Sequence, residues 1–187
     1  MVQPEQSASL LTAEQAYRLD PDGRWELVEG RLVDVSPVRP RHGKLLGRLT
    51  ARLVPFVEQH DLGEVYTGDV GFVLKRNPDT VRGPDLAFVR KERVPAVDAA
   101  ETFPDVAPDL VVEVLSPSDR WPAVERKVAE YQGAGVPLVW AIDDSSRTAR
   151  AYRPGRPVGM LSEGDALEAP DLLPGFRLVL QDLFTKR

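Results

Sequence analysis

Residues 109–115, with the sequence DLVVEVL, constrain the fold of this chain more than any other segment. The run is strongly β-forming, and it is apolar enough to predict a strand at the centre of a sheet. A helix is predicted over residues 121–132, followed by a second buried strand over residues 136–142 (VPLVWAI). Residues 148–153 are expected to return as the hairpin partner of that strand. The pattern predicts an α/β or α+β fold in which helices flank a mixed sheet.

The N-terminal half adds a helix, a hairpin and a long helix to this prediction. Thr12 and Gln15 fit a capping box, which opens a short helix that ends before Pro21. Residues 25–35 predict two short strands around Glu29-Gly30. Apolar side chains at helical spacing predict a long helix over residues 43–59, with a bend at Pro55.

The remaining segments carry weaker signals. The expected elements are a strand within residues 64–74, a polar loop over 77–83, a strand over 84–90, an irregular excursion over 91–108, short strands after residue 158 and a last turn at 181–184.

Length and composition suit one globular domain over residues 1–187. The chain has 187 residues, of which 42% are hydrophobic, and this is enough to bury one substantial core. No run of about 18 apolar residues predicts a transmembrane helix. Residues 1–9 are polar and lack the apolar core of a signal peptide, so we expect a cytoplasmic protein.

Composition also limits the chemistry that the chain can perform. It has no cysteine and only two histidines, so thiolate sites and multi-histidine metal centres are excluded within one chain. Any metal must be held mainly by oxygen, which favours magnesium, manganese or calcium. The net charge of -5 argues against strong non-specific DNA binding unless the charge is segregated by face.

Motifs of several enzyme classes are absent, and acidic residues near strand ends remain. The sequence has no GxxxxGK[ST], GxGxxG, GxSxG or HExxH motif. Glu113 lies inside the apolar run, where an ionised carboxylate is costly unless it is paired or bound to a cation. Glu113 is therefore a candidate functional carboxylate. The alternative is that it faces solvent on a half-exposed strand or pairs with an arginine.

Asp85 is the second candidate carboxylate. It follows Pro84 at the expected start of a strand, although a Pro-Asp pair also forms turns, and Pro108-Asp109 repeats it. Asp109 would share a face with Glu113 but lie about 13 Å away along the strand, too far for one ion. An acid on a neighbouring strand is better placed, which favours Asp85.

Lys127 is the candidate cation. It is one of five lysines, and it falls on the helix predicted after the Glu113 strand. A lysine there can act as a compact charge towards a water or a phosphate. The alternative is a solvated helix residue that pairs with Glu130 or Tyr131.

The ordered set of motifs resembles the Uma-type restriction endonucleases, a family of the PD-(D/E)XK nuclease superfamily. The resemblance spans roughly residues 12–182 and rests on short motifs that are specific mainly in their order. These are WELVEGRL at 25–32 followed by His42, then PD at 84–85, VEVLSPS at 112–118, Lys127, YQGAGV at 131–136 and VWAID at 139–143.

The resemblance implies a restriction-endonuclease-like mixed sheet and hydrolysis of DNA phosphodiester bonds with magnesium or manganese. It implies that Asp85 and Glu113 hold the metal. The superfamily lysine stands two residues after the glutamate, where this chain has Leu115, whereas in the Uma-type group it comes from the following helix, where Lys127 matches. DNA is the implied substrate, and a homodimer or larger assembly is compatible with this prediction.

Two further residues and a second function stay open. Glu29 and His42 could add an outer ligand or a proton relay, or they could be a hairpin-turn acid and a surface histidine at a helix start. The alternative function is a catalytically degenerate nuclease fold that binds nucleic acid or protein. The acidic net charge and the missing lysine on the strand favour that alternative, and the ordered triad favours the enzyme.

Overall fold

The computed structural model describes residues 10–21, 23–117 and 119–184. The polar N-terminal segment 1–9, Ser118 of the VEVLSPS motif and residues 185–187 lie outside the described residues. The helices are α1 (Ala13–Leu19), α2 (Pro40–Gln59), α3 (Val94–Asp98) and α4 (Trp121–Gly133), with 3-10 turns at Lys91–Arg93 and Leu180–Asp182. The strands are β1 (Trp25–Val28), β2 (Arg31–Asp34), β3 (Gly63–Thr67), β4 (Phe72–Lys75), β5 (Thr80–Arg82), β6 (Leu86–Arg90), β7 (Leu110–Leu115), β8 (Leu138–Asp143), β9 (Thr148–Tyr152), β10 (Gly159–Leu161), β11 (Ala166–Ala169) and β12 (Leu173–Val179).

The strands form three sheets, and the largest is mixed. It has six strands in the order β10-β9-β8-β7-β6-β3, beside a four-stranded sheet β2-β1-β5-β4 and the hairpin β11-β12. Strands β7 and β8 run parallel, whereas β6 and β9 pair antiparallel to them. A parallel pair needs a crossover, and α4 supplies it. The predicted mixed α/β sheet with β7 at its centre is confirmed.

The six-stranded sheet separates two apolar layers because successive side chains of a strand point to opposite faces. Leu110, Val112 and Val114 of β7 pack in a cluster with the apolar face of α2 and the β11-β12 hairpin. Val111 and Leu115 pack instead with α4. Glu113 alternates with the first set, so its side chain lies on the α4 side of the sheet.

The N-terminal elements form as predicted. Thr12 accepts a hydrogen bond from the Gln15 N–H, and the Gln15 side chain accepts one from the Thr12 N–H, which completes the capping box of α1. Strands β1 and β2 pair as a hairpin with Glu29 and Gly30 at the turn, both at positive φ. Helix α1 then buries Ala13 and Ala16 against the four-stranded sheet.

Several predicted boundaries and elements were wrong. The single strand expected within residues 64–74 is two strands, because Gly68 and Asp69 adopt positive φ and turn the chain between them. Residues 77–83, expected to be a loop, contain β5, whose polar residues are buried in ion pairs and hydrogen bonds. Residues 91–108 include a 3-10 turn and α3.

Helix α2 begins earlier than predicted and continues through its proline. It starts at Pro40 rather than at residue 43, since a proline fits the first turn, where its missing N–H costs nothing. Pro55 lies inside the helix, which continues to Gln59. Among the described helices, none combines the length and apolarity that a membrane span requires.

Candidate functional site

The pairing of β6 with β7 places Asp85 opposite Glu113. The last pair of this antiparallel ladder joins Leu86 to Val112, and Asp85 and Glu113 are the next residues outwards on each strand. Opposite residues in an antiparallel pair lie close and share a face. The Asp85 Oδ2 atom accepts a hydrogen bond from the Val114 N–H at 2.6 Å. The carboxylate thus supplies the acceptor that β6 no longer provides beyond its end.

His42 holds the other oxygen of Asp85. Its Nε2 lies 3.1 Å from Asp85 Oδ1, and its ring is buried on the first turn of α2. The hydrogen bond to Asp85 raises the pKa of His42 against the opposing effect of burial. Within the described residues its Nδ1 atom has no hydrogen-bond partner. The alternative of a surface histidine is therefore not observed, and His42 orients Asp85.

Glu113 is nearly buried and held by a tyrosine. Its side chain is 13% exposed, and Oε1 accepts a hydrogen bond from the Tyr131 hydroxyl at 2.6 Å. Burial raises the pKa of Glu113 to about 7, with a further contribution from the charge of Asp85 and an opposing one from Lys127. Glu113 neither faces bulk solvent nor pairs with an arginine in any described contact.

Lys127 reaches the same cluster from α4. Its Nζ lies 3.1 Å from Glu26 Oε1 and 3.6 Å from Glu113 Oε2. Burial opposes its charge, but Glu113 and Glu26 outweigh that effect and raise the pKa of the ammonium. The alternative partners on its helix are engaged elsewhere, since Glu130 binds Arg82 and Tyr131 binds Glu113.

Three residues of this cluster were missed from the sequence. They are Glu26, Arg82 and Tyr131. The Arg82 guanidinium lies 2.6 Å from Glu26 Oε2 and 2.6 Å from Glu130 Oε2, so it joins β5, β1 and α4. Tyr131 had a usable signal, because a residue four positions after Lys127 lies on the same helix face. Arg82 had none, since its partners are 48 or more positions away.

Glu29 is not brought to the cluster. It sits in the β1-β2 turn at a φ of 47°, and its side chain is 69% exposed. Its described ion-pair partner is Lys75, at 3.6 Å. This placement is that of a hairpin-turn acid.

The donor set fits a hard cation that keeps much of its water. Among the described residues no three or more acidic or histidine side chains converge as a ready metal site. Magnesium, however, is commonly bound through one or two carboxylates and several waters. A cavity of about 100 Å³ beside Glu113 and Lys127 has room for water. Asp85 and Glu113, together with water, would supply oxygen ligands of the kind that magnesium prefers.

Comparisons with known proteins identify the family. A crystal structure described as "a putative nuclease belonging to DUF820 from Anabaena variabilis" superposes with a TM-score of 0.80. It is 20% identical, with 93% of this chain and 97% of that chain covered, so the likeness shows a shared fold. No curated protein matches the chain. The model of the Uma2 family, described as "Putative restriction endonuclease", matches residues 13–181. With nearly its whole length matched, the chain belongs to the Uma2 family.

Proposed function

We propose that the chain is a divalent-metal-dependent endonuclease that hydrolyses DNA phosphodiester bonds. Asp85 and Glu113 would hold magnesium or manganese, and Lys127 would act beside them. The observation that carries the proposal is the meeting of these three side chains in one nearly buried cluster. Asp85 comes from just before β6, Glu113 from β7 and Lys127 from α4. Membership of a family described as restriction endonucleases supports the same class of reaction.

The electrostatics of the cluster support a cation between the acids. Asp85 and Glu113 repel each other, and burial adds to the cost of a second negative charge. A divalent cation held by Asp85 and Glu113 would offset both penalties, and it would supply an acidified water and charge neutralisation at the phosphate. The ligand set of oxygens alone matches magnesium and manganese.

The protein's own side chains would orient these groups. His42 and the Val114 N–H fix the two oxygens of Asp85, so the carboxylate has one orientation. Tyr131 fixes Glu113 in the same way. The Lys127 ammonium is a preorganised positive charge that can donate a hydrogen bond to the attacking water or to a phosphate oxygen. Glu26 positions that ammonium, and Arg82 positions Glu26.

The second candidate is a degenerate nuclease fold that binds nucleic acid or protein. Two observations favour it. In the described part of the chain no preformed group of three metal-binding side chains exists, and Lys127 lies closer to Glu26 than to Glu113. Catalysis separates the two functions, because a binding module leaves DNA intact.

A cleavage assay tests the proposal. Supercoiled and linear duplex DNA, single-stranded DNA and RNA are incubated with the protein and magnesium, manganese or EDTA. We expect metal-dependent DNA cleavage that Glu113→Gln and Lys127→Ala lower by on the order of a hundredfold or more, as the loss of an electrostatic catalytic group does. Lys91→Ala is the control, because Lys91 is exposed and pairs only with Asp61 in the described contacts.

Two results would contradict the proposal. Absence of cleavage with every substrate and metal would favour the catalytically degenerate fold over the endonuclease. Equal activity of Lys127→Ala and Lys91→Ala would show that Lys127 takes no part in catalysis.

A further inference from the structure

Helix α2 carries a line of basic side chains on its solvent side. Arg41, Lys44, Arg48 and Arg52, named here the α2 basic stripe, are all exposed. Their spacing of three and four residues places them on one helix face, about 16 Å long at 1.5 Å per residue. No acidic residue interrupts the stripe, and the first acid of the helix is Glu58.

Most of the stripe is not neutralised by the protein itself. Arg41 pairs with Asp144 at 2.8 Å. Within residues 10–21, 23–117 and 119–184, no ion pair involves Lys44, Arg48 or Arg52, although Arg48 donates a hydrogen bond to the Leu183 carbonyl. By contrast, Arg76 is held by three carboxylates. In a chain of net charge -5, the stripe is therefore positive charge segregated on one face.

The stripe starts beside the candidate site. His42, which orients Asp85, lies on the same helix between Arg41 and Lys44. A cavity of about 340 Å³ opens there between the start of α2 and the end of β7, with Arg39 and Arg41 among its lining residues. At the far end of the stripe, Arg48 and Arg52 line a cavity of about 610 Å³.

Two glycines leave the flank of the stripe open. Gly43 and Gly47 are exposed on α2, and a Cβ added at either would meet nothing within 4 Å. Packing inside the chain thus does not require them, although a glycine within a helix costs about 1 kcal/mol relative to alanine. A partner's backbone can therefore approach helix α2 closely at these two positions.

We propose that the α2 basic stripe binds the phosphate backbone of DNA and leads one strand to Asp85 and Glu113. This inference rests on the proposed function for its choice of polyanion. A length of about 16 Å spans about five nucleotide steps at 3.4 Å along the duplex axis. Arginine forks and the lysine ammonium both bind phosphate oxygens. The stripe supplies the segregated positive face that an acidic protein needs to hold DNA.

Binding without catalysis tests the stripe. The affinity of the full-length protein for a short fluorescein-labelled duplex is measured by anisotropy in EDTA at several salt concentrations. The test variant is Lys44→Gln/Arg52→Gln, because neither side chain has a described partner whose loss would disturb the fold. The control is Arg18→Gln/Arg31→Gln, which removes the same charge from exposed positions on α1 and β2.

We expect the test variant to bind on the order of tenfold more weakly, with the slope of log affinity against log salt reduced by about two. The control should keep the wild-type slope. Equal losses in both variants, or no duplex binding by the wild type, would overturn the inference. A change of oligomeric state by light scattering in the test variant, with binding unchanged, would instead assign the stripe to contacts between copies.

The two proposals fail in different ways. If the wild type cleaves DNA and the test variant binds the duplex as the wild type does, the proposal for the stripe is wrong and the proposed nuclease function stands. If the test variant loses binding and the wild type cleaves no substrate, the stripe binds DNA and the proposed nuclease function is wrong.

Discussion

At the scale of single residues, Glu113 couples the site to the stability of the fold. Burial raises its pKa from 4.5 to about 7 in the folded chain. Between these values the folded state keeps a proton that the unfolded state has lost, so stability falls as pH rises and levels off above about 7. Glu113→Gln should flatten this decline when unfolding by urea is followed across that range without metal.

The control for this prediction is Glu168→Gln, which removes an exposed glutamate on β11. His42 adds a decline of the same sign, because its raised pKa means that stability is lost as pH rises from about 6.5. The variant should therefore keep part of the slope. A full wild-type slope in Glu113→Gln would mean that the carboxyl ionises freely in the folded protein.

A metal-binding test distinguishes Glu113 from Glu29. A cation that binds only the folded state raises the melting temperature by mass action. We expect magnesium or manganese to do so in the wild type, Glu113→Gln to abolish most of the shift, and Glu29→Gln to retain it because Glu29 is exposed in a turn. The measurement is thermal unfolding followed by circular dichroism. A preserved shift in Glu113→Gln would place the metal elsewhere.

At the scale of elements, segments with strong local periodicity were predicted correctly, whereas a strand that depends on contacts with distant residues was missed. The strands β7 and β8 and the helix α4 were predicted nearly to their ends, because apolar runs and helix stops are local signals. Strand β5 was missed, since its polar residues are satisfied only by partners far along the chain. The burial of β5 could not be predicted from the types of its own three residues.

The residues of the candidate site also differ in whether a local sequence signal could predict them. Glu113 was a candidate because it interrupts an apolar run, Asp85 because it follows a proline at the start of a strand, and Lys127 because it is one of five lysines and follows on the next helix. The order of motifs in the family linked the three. Glu26 and Arg82 make equally short contacts in the cluster but gave no such signal. Their role depends on how β1, β5 and α4 meet, and this geometry is set by the packed sheets.

Arg82 should make the strongest electrostatic contribution to the contact between β1, β5 and α4. It is buried between Glu26 and Glu130, so Arg82→Leu leaves Glu130 without its described ion-pair partner and Glu26 with Lys127 alone. The variant should lower the free energy of unfolding by about 3–5 kcal/mol. Arg24→Leu is the matched control, because the exposed pair of Arg24 with Asp69 should contribute no more than about 1 kcal/mol. Urea unfolding of both variants measures the difference, and similar losses would contradict a structural role for the buried network.

At the scale of the whole molecule, two sheets are joined by both apolar and ionic contacts. Phe72 of β4 packs with Ala87 and Val89 of β6, which links the four-stranded sheet to the six-stranded one. The Arg82 network adds a second link from the four-stranded sheet to α4. The candidate site lies where these parts meet, since Glu26 comes from one sheet and Glu113 from the other. Its geometry therefore depends on both sheets being folded together.

These links predict that the chain unfolds as one domain. Leu27 is fully buried in the four-stranded sheet, and Leu49 is fully buried where α2 covers the six-stranded sheet. Leu27→Ala and Leu49→Ala should each lower stability by about 2–5 kcal/mol. Because the sheets share a core and a buried network, each variant should shift one common transition measured by circular dichroism and by tryptophan fluorescence. Leu19→Ala, at a site 66% exposed, should stay within about 0.5 kcal/mol of the wild type. Two separate transitions, with each variant moving only its own, would show instead that the two sheets are independent domains.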